Sequence, residues 1–168
     1  MRSLLVALAV AGAVAFSAGC YETAFPLDSA PQTDLPAGLT GAWRCLPHDP
    51  EETEEAITIT VKRSSRDRVY DVILQETDQE PDRYEAYASL VNASPVINLK
   101  DLDPASTKPW VFLRTSFLRS DVLSIQVLSE GAVGKGDGSA AGIRKVLERA
   151  SETAFENVAV CVRVKVSK

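Results

Sequence analysis

The sequence has little of what most metal and catalytic sites require. Its 168 residues include one histidine, His48, and three cysteines. Cys45 and His48 have the Cys-x-x-His spacing of half a zinc site, but no second Cys/His pair exists to complete four ligands. A single histidine beside a proline also disfavours Ser-His-Asp or Cys-His catalysis. We therefore predict a protein without metal, cofactor or catalytic residues, in which His48 is an exposed loop residue.

Basic charge is scarce as well. The chain has 18 Lys and Arg against 23 Asp and Glu, a net charge of −5, and its pI is about 5.0. A domain that binds nucleic acid commonly has a basic patch or a pI above about 9. The charge balance predicts that nucleic acid is not a partner.

The apolar run at residues 4–16 is too short for a stable transmembrane helix. Its 13 residues would extend roughly 20 Å as a helix, whereas the hydrocarbon core of a bilayer is ~30 Å thick. Arg2 precedes the run, and the small residues Ser17, Ala18 and Gly19 follow it. A positive start, a short apolar region and small residues at its end indicate a secretory signal peptide.

Cys20 stands directly after these small residues, and the whole segment resembles a bacterial lipoprotein signal peptide. The resemblance implies that residues 1–19 are removed and that Cys20 carries lipid, which anchors the protein to a membrane of the cell envelope. Tyr21 in place of an aspartate implies the outer membrane rather than the inner membrane. Two or three acyl chains anchor a protein stably. The alternative is ordinary secretion with cleavage near Ala18, which leaves Cys20 as a free thiol.

The remainder is organised as a linker and one β domain. Residues 20–38 contain Pro26, Pro31 and Pro36 and have no periodicity, which predicts a flexible tether. Residues 39–168 form the predicted domain, because alternating apolar and polar positions recur along it. The predicted strands are 39–46, 57–62, 70–75, 83–91, 95–99, 110–117, 122–128 and 158–166. One helix, 139–153, precedes the last strand. The predicted fold class is mainly β, either a single antiparallel up-and-down barrel or a strongly curved sheet of about eight strands.

Two cysteines are left once Cys20 is assigned to lipid. Cys45 and Cys161 could form a disulfide, since the cell envelope permits one, or could stay as buried reduced thiols. The strand pattern raises a conflict, because the valines at 158–166 are expected to face the core and Cys161 would then face outward. Cys45 is expected on the same face as Trp43, which we place inside. A β-bulge in either strand would reconcile the two faces.

The segment Gly41-Ala42-Trp43 on the first strand, followed by a strand meander and one helix near the C-terminus, is similar to the lipocalin and calycin plan. The resemblance implies a barrel with Trp43 at its closed end and a late-strand arginine stacked over it. Arg163 is the candidate by position and Arg114 is the alternative. The layout also resembles a broader class of strand-rich bacterial lipoproteins, which implies no activity.

Five aromatic residues could either line a cavity or fill the core. They are Trp43, Tyr84, Tyr87, Trp110 and Phe112. If they line a cavity, the lipocalin resemblance implies a barrel that binds a small apolar ligand. If the barrel is filled, the alternative is a structural or protein-interaction lipoprotein that contacts a partner of the cell envelope.

Overall fold

The computed structural model describes residues 20–48, 55–134, 138–150 and 152–164. The predicted signal peptide, residues 1–19, lies outside the described residues. The strands are β1 (Glu22–Thr23), β2 (Gly41–Pro47), β3 (Ile57–Arg63), β4 (Tyr70–Gln75), β5 (Asp82–Val91), β6 (Ser94–Asp101), β7 (Trp110–Arg119), β8 (Val122–Leu128) and β9 (Phe155–Arg163), and the α-helix is α1 (Ala140–Arg149).

Strands β2 to β9 form a closed antiparallel barrel. Each pairs with the strand that follows it in the chain, and β2 pairs with β9 from Trp43 opposite Arg163 to Pro47 opposite Ala159. Closure gives every barrel strand two neighbours and so removes free sheet edges. The predicted mainly β fold with one helix before the last strand is confirmed, and of the two predicted architectures the closed barrel is the one that forms.

The two ends of the barrel differ. The turns that join β3 to β4, β5 to β6, and β7 to β8 lie at one end, which we call the closed end. In the turn between β5 and β6, Asn92 and Ala93 have φ angles of 50° and 62°, the left-handed pair of a two-residue type I′ hairpin. Asparagine tolerates this region because its side chain can hydrogen-bond the local backbone. The opposite end, from which the connections between β4 and β5 and between β6 and β7 leave, is called the mouth.

Helix α1 packs on the outside of the barrel. Ser139 caps its N-terminus, because the Ser139 Oγ accepts a hydrogen bond from the Gly142 N–H at 3.0 Å. Ile143 and Leu147, one helical turn apart, are fully buried on its inner face. The wall residues in this cluster include Val91, Val96, Phe112, Leu128 and Phe155. A second apolar core therefore lies between the helix and the outer wall, separate from the barrel interior.

Residues 20–38, for which the sequence predicts a flexible tether, lie against the barrel instead. Glu22 in β1 pairs with Val111 at the start of β7. Leu27 and Leu35 are 4% and 6% exposed, and the Leu27 N–H donates to the buried Asn98 Oδ1 at 2.8 Å. Leu27 belongs to the core beneath α1 and Leu35 to the interior core. Burying a leucine side chain is worth about 1.5–3 kcal/mol, so these two side chains hold the segment against the barrel despite its prolines.

Beyond Val158, the valines of β9 do not face the core, and that part of the sequence prediction is wrong. Val162 is 51% exposed, whereas Ala159 and Cys161 are buried in the interior. The cause is a β-bulge, because Ile125 of β8 pairs with Ala159 while the next residue pairs with Asn157, which leaves Val158 without a partner in the register. Because of this extra residue, the alternation is shifted beyond Val158, so that Ala159 and Cys161 face the interior and Val162 faces outward.

Candidate functional site: an apolar cavity inside the barrel

The interior of the barrel is not filled. It contains a cavity of about 690 Å³, within the range of about 300–1,000 Å³ typical of small-molecule sites. Its wall is mainly aliphatic, since the inward positions of the strands alternate with outward polar ones. The aliphatic lining includes Ile57, Ile59, Val61, Val72, Leu74, Ile97, Leu99, Val111, Leu113, Leu123, Ile125 and Val127. An elongated apolar molecule has the chemistry that this wall accepts.

Trp43 forms the floor of the cavity at the closed end. Its side chain is 1% exposed, and its Nε1–H donates to the Leu39 carbonyl at 2.8 Å. The guanidinium carbon of Arg163 lies 4.3 Å from the centre of a Trp43 ring. Arg163 also donates from Nη1 to the Thr40 carbonyl at 3.0 Å and from Nη2 to the Gly38 carbonyl. The arginine thus ties the end of β9 to the chain entering β2, and the predicted stacking of Arg163 on Trp43 is confirmed.

Gly41 makes this stacking sterically feasible. Its φ angle is 129°, in the region that side chains disfavour. A Cβ atom at this position would lie 2.7 Å from Arg163 Nη1, closer than two non-bonded heavy atoms tolerate. The Gly-x-Trp motif therefore has a physical basis here, because the missing side chain leaves room for the guanidinium group over Trp43.

The mouth of the cavity is polar and acidic. Glu22, Asp82, Asp101 and Asp103 line it together with a single lysine, Lys108. Within the described ranges, none of these four carboxylates forms an ion pair. The resulting excess of negative charge faces whatever group of a ligand stays at the entrance.

Tyr84 lies at the cavity wall beneath this acidic rim. Burial raises the pKa of its hydroxyl to about 12, with further contributions from Asp82, Asp101 and Glu76. The phenol is therefore neutral at physiological pH and can act as a hydrogen-bond donor. It gives the upper wall a polar atom without adding charge.

Thr115 supplies a polar atom at the cavity wall. Its Oγ1 is buried and has no hydrogen-bond partner among the described residues, and Thr115 lines the cavity. A buried hydroxyl without a partner costs about 1–3 kcal/mol. A polar atom of a bound molecule could remove that cost.

Cys20 lies at the mouth and is one of the lining residues. It forms an antiparallel bridge with Ser129, and the N–H of Tyr21 donates to the Leu128 carbonyl at 2.9 Å. Glu22 then pairs with Val111, so residues 20–22 lie between the ends of β7 and β8. Burial, and to a lesser extent Glu22 and Glu156, raises the pKa of the Cys20 thiol to about 11. The thiol is protonated and weakly nucleophilic in the folded domain.

Of the five aromatic candidates, the structure brings only Trp43 and Tyr84 to the cavity. Tyr87, Trp110 and Phe112 do not line the cavity and are buried on the outer side of the barrel wall, so for these three the alternative applies that they fill a core. Tyr87 and Trp110 make an edge-on ring contact with centroids 5.8 Å apart, and Phe112 belongs to the cluster beneath α1. The reason is strand alternation, since Tyr84 and Tyr87 are three residues apart and point to opposite faces.

The predicted pairing of the two remaining cysteines is confirmed. Cys45 and Cys161 are disulfide-bonded and directly opposite each other on β2 and β9. Both are fully buried in the interior core. The bond crosses the seam where the first and last barrel strands meet, so it covalently closes the wall of the cavity.

Other features predicted from the sequence lie away from the cavity. His48 is exposed at the end of β2, and its backbone N–H donates to the Val158 carbonyl at 3.0 Å. Across the part of the chain that the structure describes, no three His, Cys, Asp or Glu side chains are grouped to hold a metal ion. Within the same ranges, no helix has the length and apolar character to cross a membrane.

Several lining residues were not singled out from the sequence. Leu35 and Leu39 close the floor beside Trp43, and Thr115 lines the wall. Alternation along β7 would have identified Thr115, because it has the parity of Leu113. Leu39 has the parity of Trp43 in the predicted strand 39–46, whereas no periodic signal marks Leu35, which lies in the predicted tether.

Comparison of the chain with protein families, with curated proteins and with solved structures finds no match in any of the three. The cavity therefore carries the functional interpretation.

Proposed function

We propose that this protein binds one elongated apolar molecule inside its barrel and is held at a membrane by lipid on Cys20. The observation that carries the first part is the cavity of about 690 Å³ with aliphatic walls and one polar end. A filled interior would have favoured the alternative, a structural or protein-interaction lipoprotein with a solid barrel. The empty, aliphatic interior supports ligand binding over that alternative.

The energetics are sufficient for useful affinity. Each buried methylene contributes about 0.8 kcal/mol, so a chain that buries about ten of them gains ~8 kcal/mol, equivalent to a Kd near 1 µM before the costs of association. Loss of chain freedom weakens this value. A hydrogen bond from a polar end group to the Tyr84 hydroxyl at the mouth would offset part of the loss.

The membrane attachment rests on the sequence. Arg2, the apolar run 4–16 and the small residues before Cys20 have the order of a lipoprotein signal peptide. In the folded domain, burial and two nearby carboxylates suppress the reactivity of the Cys20 thiol. We therefore propose that lipid is attached to Cys20 before the domain folds. We place the protein at the outer membrane on the identity of Tyr21.

The proposed role is non-catalytic. The cavity wall consists largely of aliphatic side chains, and the single histidine of the sequence, His48, is not part of it. Proton transfer at neutral pH most often uses a histidine or a carboxylate held near a reacting group. The carboxylates at the mouth surround a solvent-open entrance rather than an enclosed site that excludes water.

The direct test is titration with N-phenyl-1-naphthylamine, a neutral apolar probe that fluoresces in apolar surroundings. We expect saturable binding of one probe per chain to the Cys20→Ser protein. Leu99→Trp, which fills the cavity from β6, should weaken binding at least tenfold. Val162→Trp places the same indole on the exposed outer face of β9 and is the matched control, which should bind normally. Equal binding by all three proteins would contradict an internal site.

A further inference from the structure

The position of Cys20 determines how an anchored barrel would stand on a membrane. A flexible linker of 17 or so residues would leave the domain free to rotate, at a mean distance of roughly 20–25 Å. The structure has no such linker between Cys20 and the barrel, because the backbone of Cys20 itself forms an antiparallel β-bridge with Ser129. The next residues are hydrogen-bonded to β8 and β7. Lipid on the Cys20 sulfur would therefore emerge at the mouth itself.

We propose that the barrel stands mouth-down on the membrane that holds its anchor and takes its ligand, a lipid acyl chain, from that leaflet. This inference rests on the proposed lipid attachment at Cys20. The cavity opens where the anchor leaves, so a chain moving from the leaflet into the barrel need not cross water. The aliphatic wall fits the chain, and the polar rim lies at the level of the headgroups.

The rim indicates which headgroups suit this contact. Glu22, Asp82, Asp101 and Asp103 outnumber Lys108, so the mouth has a net formal charge of −3. Opposite charges attract most strongly where water is partly excluded. A headgroup that carries an ammonium group fits this rim better than an anionic one, and the test therefore uses phosphatidylethanolamine with phosphatidylcholine.

The two tryptophans of the sequence provide reporters at the two ends of the barrel. Trp110 begins β7 at the mouth, and Trp43 contacts Phe117 near the other end of β7, with ring centroids 6.0 Å apart. Phe117 is seven positions after Trp110, which corresponds to about 23 Å along the strand. Quenching groups at the membrane surface would therefore distinguish the two indoles.

The first measurement uses the lipidated full chain in vesicles with a headgroup spin label. The wild-type protein, which has both tryptophans, should lose about half of its emission. Trp110→Phe, which keeps only Trp43, should lose less than a tenth. Equal quenching of the two proteins, or none in either, would overturn the mouth-down orientation.

The second measurement uses lipids brominated near the methyl end of one acyl chain. If a leaflet chain enters the cavity, its end approaches the floor, so Trp43 in the Trp110→Phe protein should be quenched although it is far from the membrane. Leu99→Trp is unsuitable here because it adds an indole. The control is Leu99→Phe, which narrows the cavity and should reduce the quenching of Trp43. Unquenched Trp43 would overturn uptake from the leaflet.

A linker variant tests the role of the anchor position. Eight Gly and Ser residues inserted between Cys20 and Tyr21 should abolish the headgroup quenching of Trp110, because the mouth is then released. The same insertion between Ser65 and Arg66, at the closed end, should leave it unchanged. Persistent quenching in the first variant would contradict an orientation set by Cys20.

Two controls separate failure of this inference from failure of the proposed function. Flotation with vesicles that is lost in Cys20→Ala establishes the anchor, and probe binding by Cys20→Ser protein establishes the site. If either is absent, the proposed function fails and this inference fails with it. If both are present and the quenching patterns are not, only this inference fails.

Discussion

Replacing Arg163 with alanine is expected to destabilise the protein by about 3.5–4 kcal/mol. The guanidinium group lies 4.3 Å from the Trp43 ring centre, and a cation–π contact of this kind is worth about 0.5–1 kcal/mol where partly exposed. Arg163 also donates to the carbonyls of Gly38 and Thr40. Hydrogen bonds from a charged donor contribute about 1.5–3 kcal/mol each, and we take the low end because Arg163 is partly exposed.

The assay is urea denaturation followed by tryptophan fluorescence. In a parallel thermal melt, the same loss corresponds to a decrease in melting temperature of roughly 7–16 °C for a domain of this size. Arg163→Lys keeps the charge but not the planar fork, so it should lose about half as much. Arg119→Ala removes an exposed ion pair at the β7–β8 turn and should change stability by less than about 0.5 kcal/mol. A similarly small effect of Arg163→Ala would refute the role of Arg163 in holding the end of β9 to the chain entering β2.

Three further predictions concern other parts of the fold. The Cys45→Ala, Cys161→Ala double variant opens a loop of 116 residues, so its free energy of unfolding should fall by up to about 5 kcal/mol. Dithiothreitol should lower the urea midpoint of the wild-type protein but not that of the variant. In unlipidated protein, the Cys20 thiol, with a pKa of about 11 instead of 9.0, should react with iodoacetamide at pH 8 on the order of tenfold more slowly than a free thiol, because the lower thiolate fraction is partly offset by the higher nucleophilicity of a more basic thiolate. Glu156→Gln should accelerate the reaction. A rate equal to that of free cysteine would disprove the burial. Asn98→Ala leaves the buried backbone N–H of Leu27 without an acceptor, which costs about 1–3 kcal/mol. Proteases should then cut within residues 20–38 faster. Unchanged cleavage would contradict the packing of this segment against the barrel.

Most of the barrel could be predicted from the sequence because most of its strands keep a period of two. Ile57, Ile59 and Val61 alternate with polar residues and face the interior, as the pattern indicates. The same rule, applied more strictly, would have excluded Tyr87 from the cavity, because it lies an odd number of residues from Tyr84. Aromatic character identifies residues that are buried but does not indicate which face buries them.

The remaining differences come from tertiary contacts that have no local signal. The bulge at Val158 reverses the faces of the last strand, and the alternating valines around it show no irregularity in sequence. Leu27 and Leu35 are isolated apolar residues among prolines, and their burial depends on a wall built by distant strands. The position of Cys20 at the mouth follows from that packing, so a reading of the linker composition alone could not supply it.

The most direct test of ligand binding inside the barrel is contact quenching of Trp43, which forms the cavity floor. A free long-chain alcohol brominated near its methyl end is titrated into the unlipidated Trp110→Phe protein, whose only indole is Trp43. If the chain enters the cavity, Trp43 emission should fall by more than half at one equivalent bound, and the unbrominated alcohol should compete. Unchanged Trp43 emission under saturating alcohol would contradict an internal site.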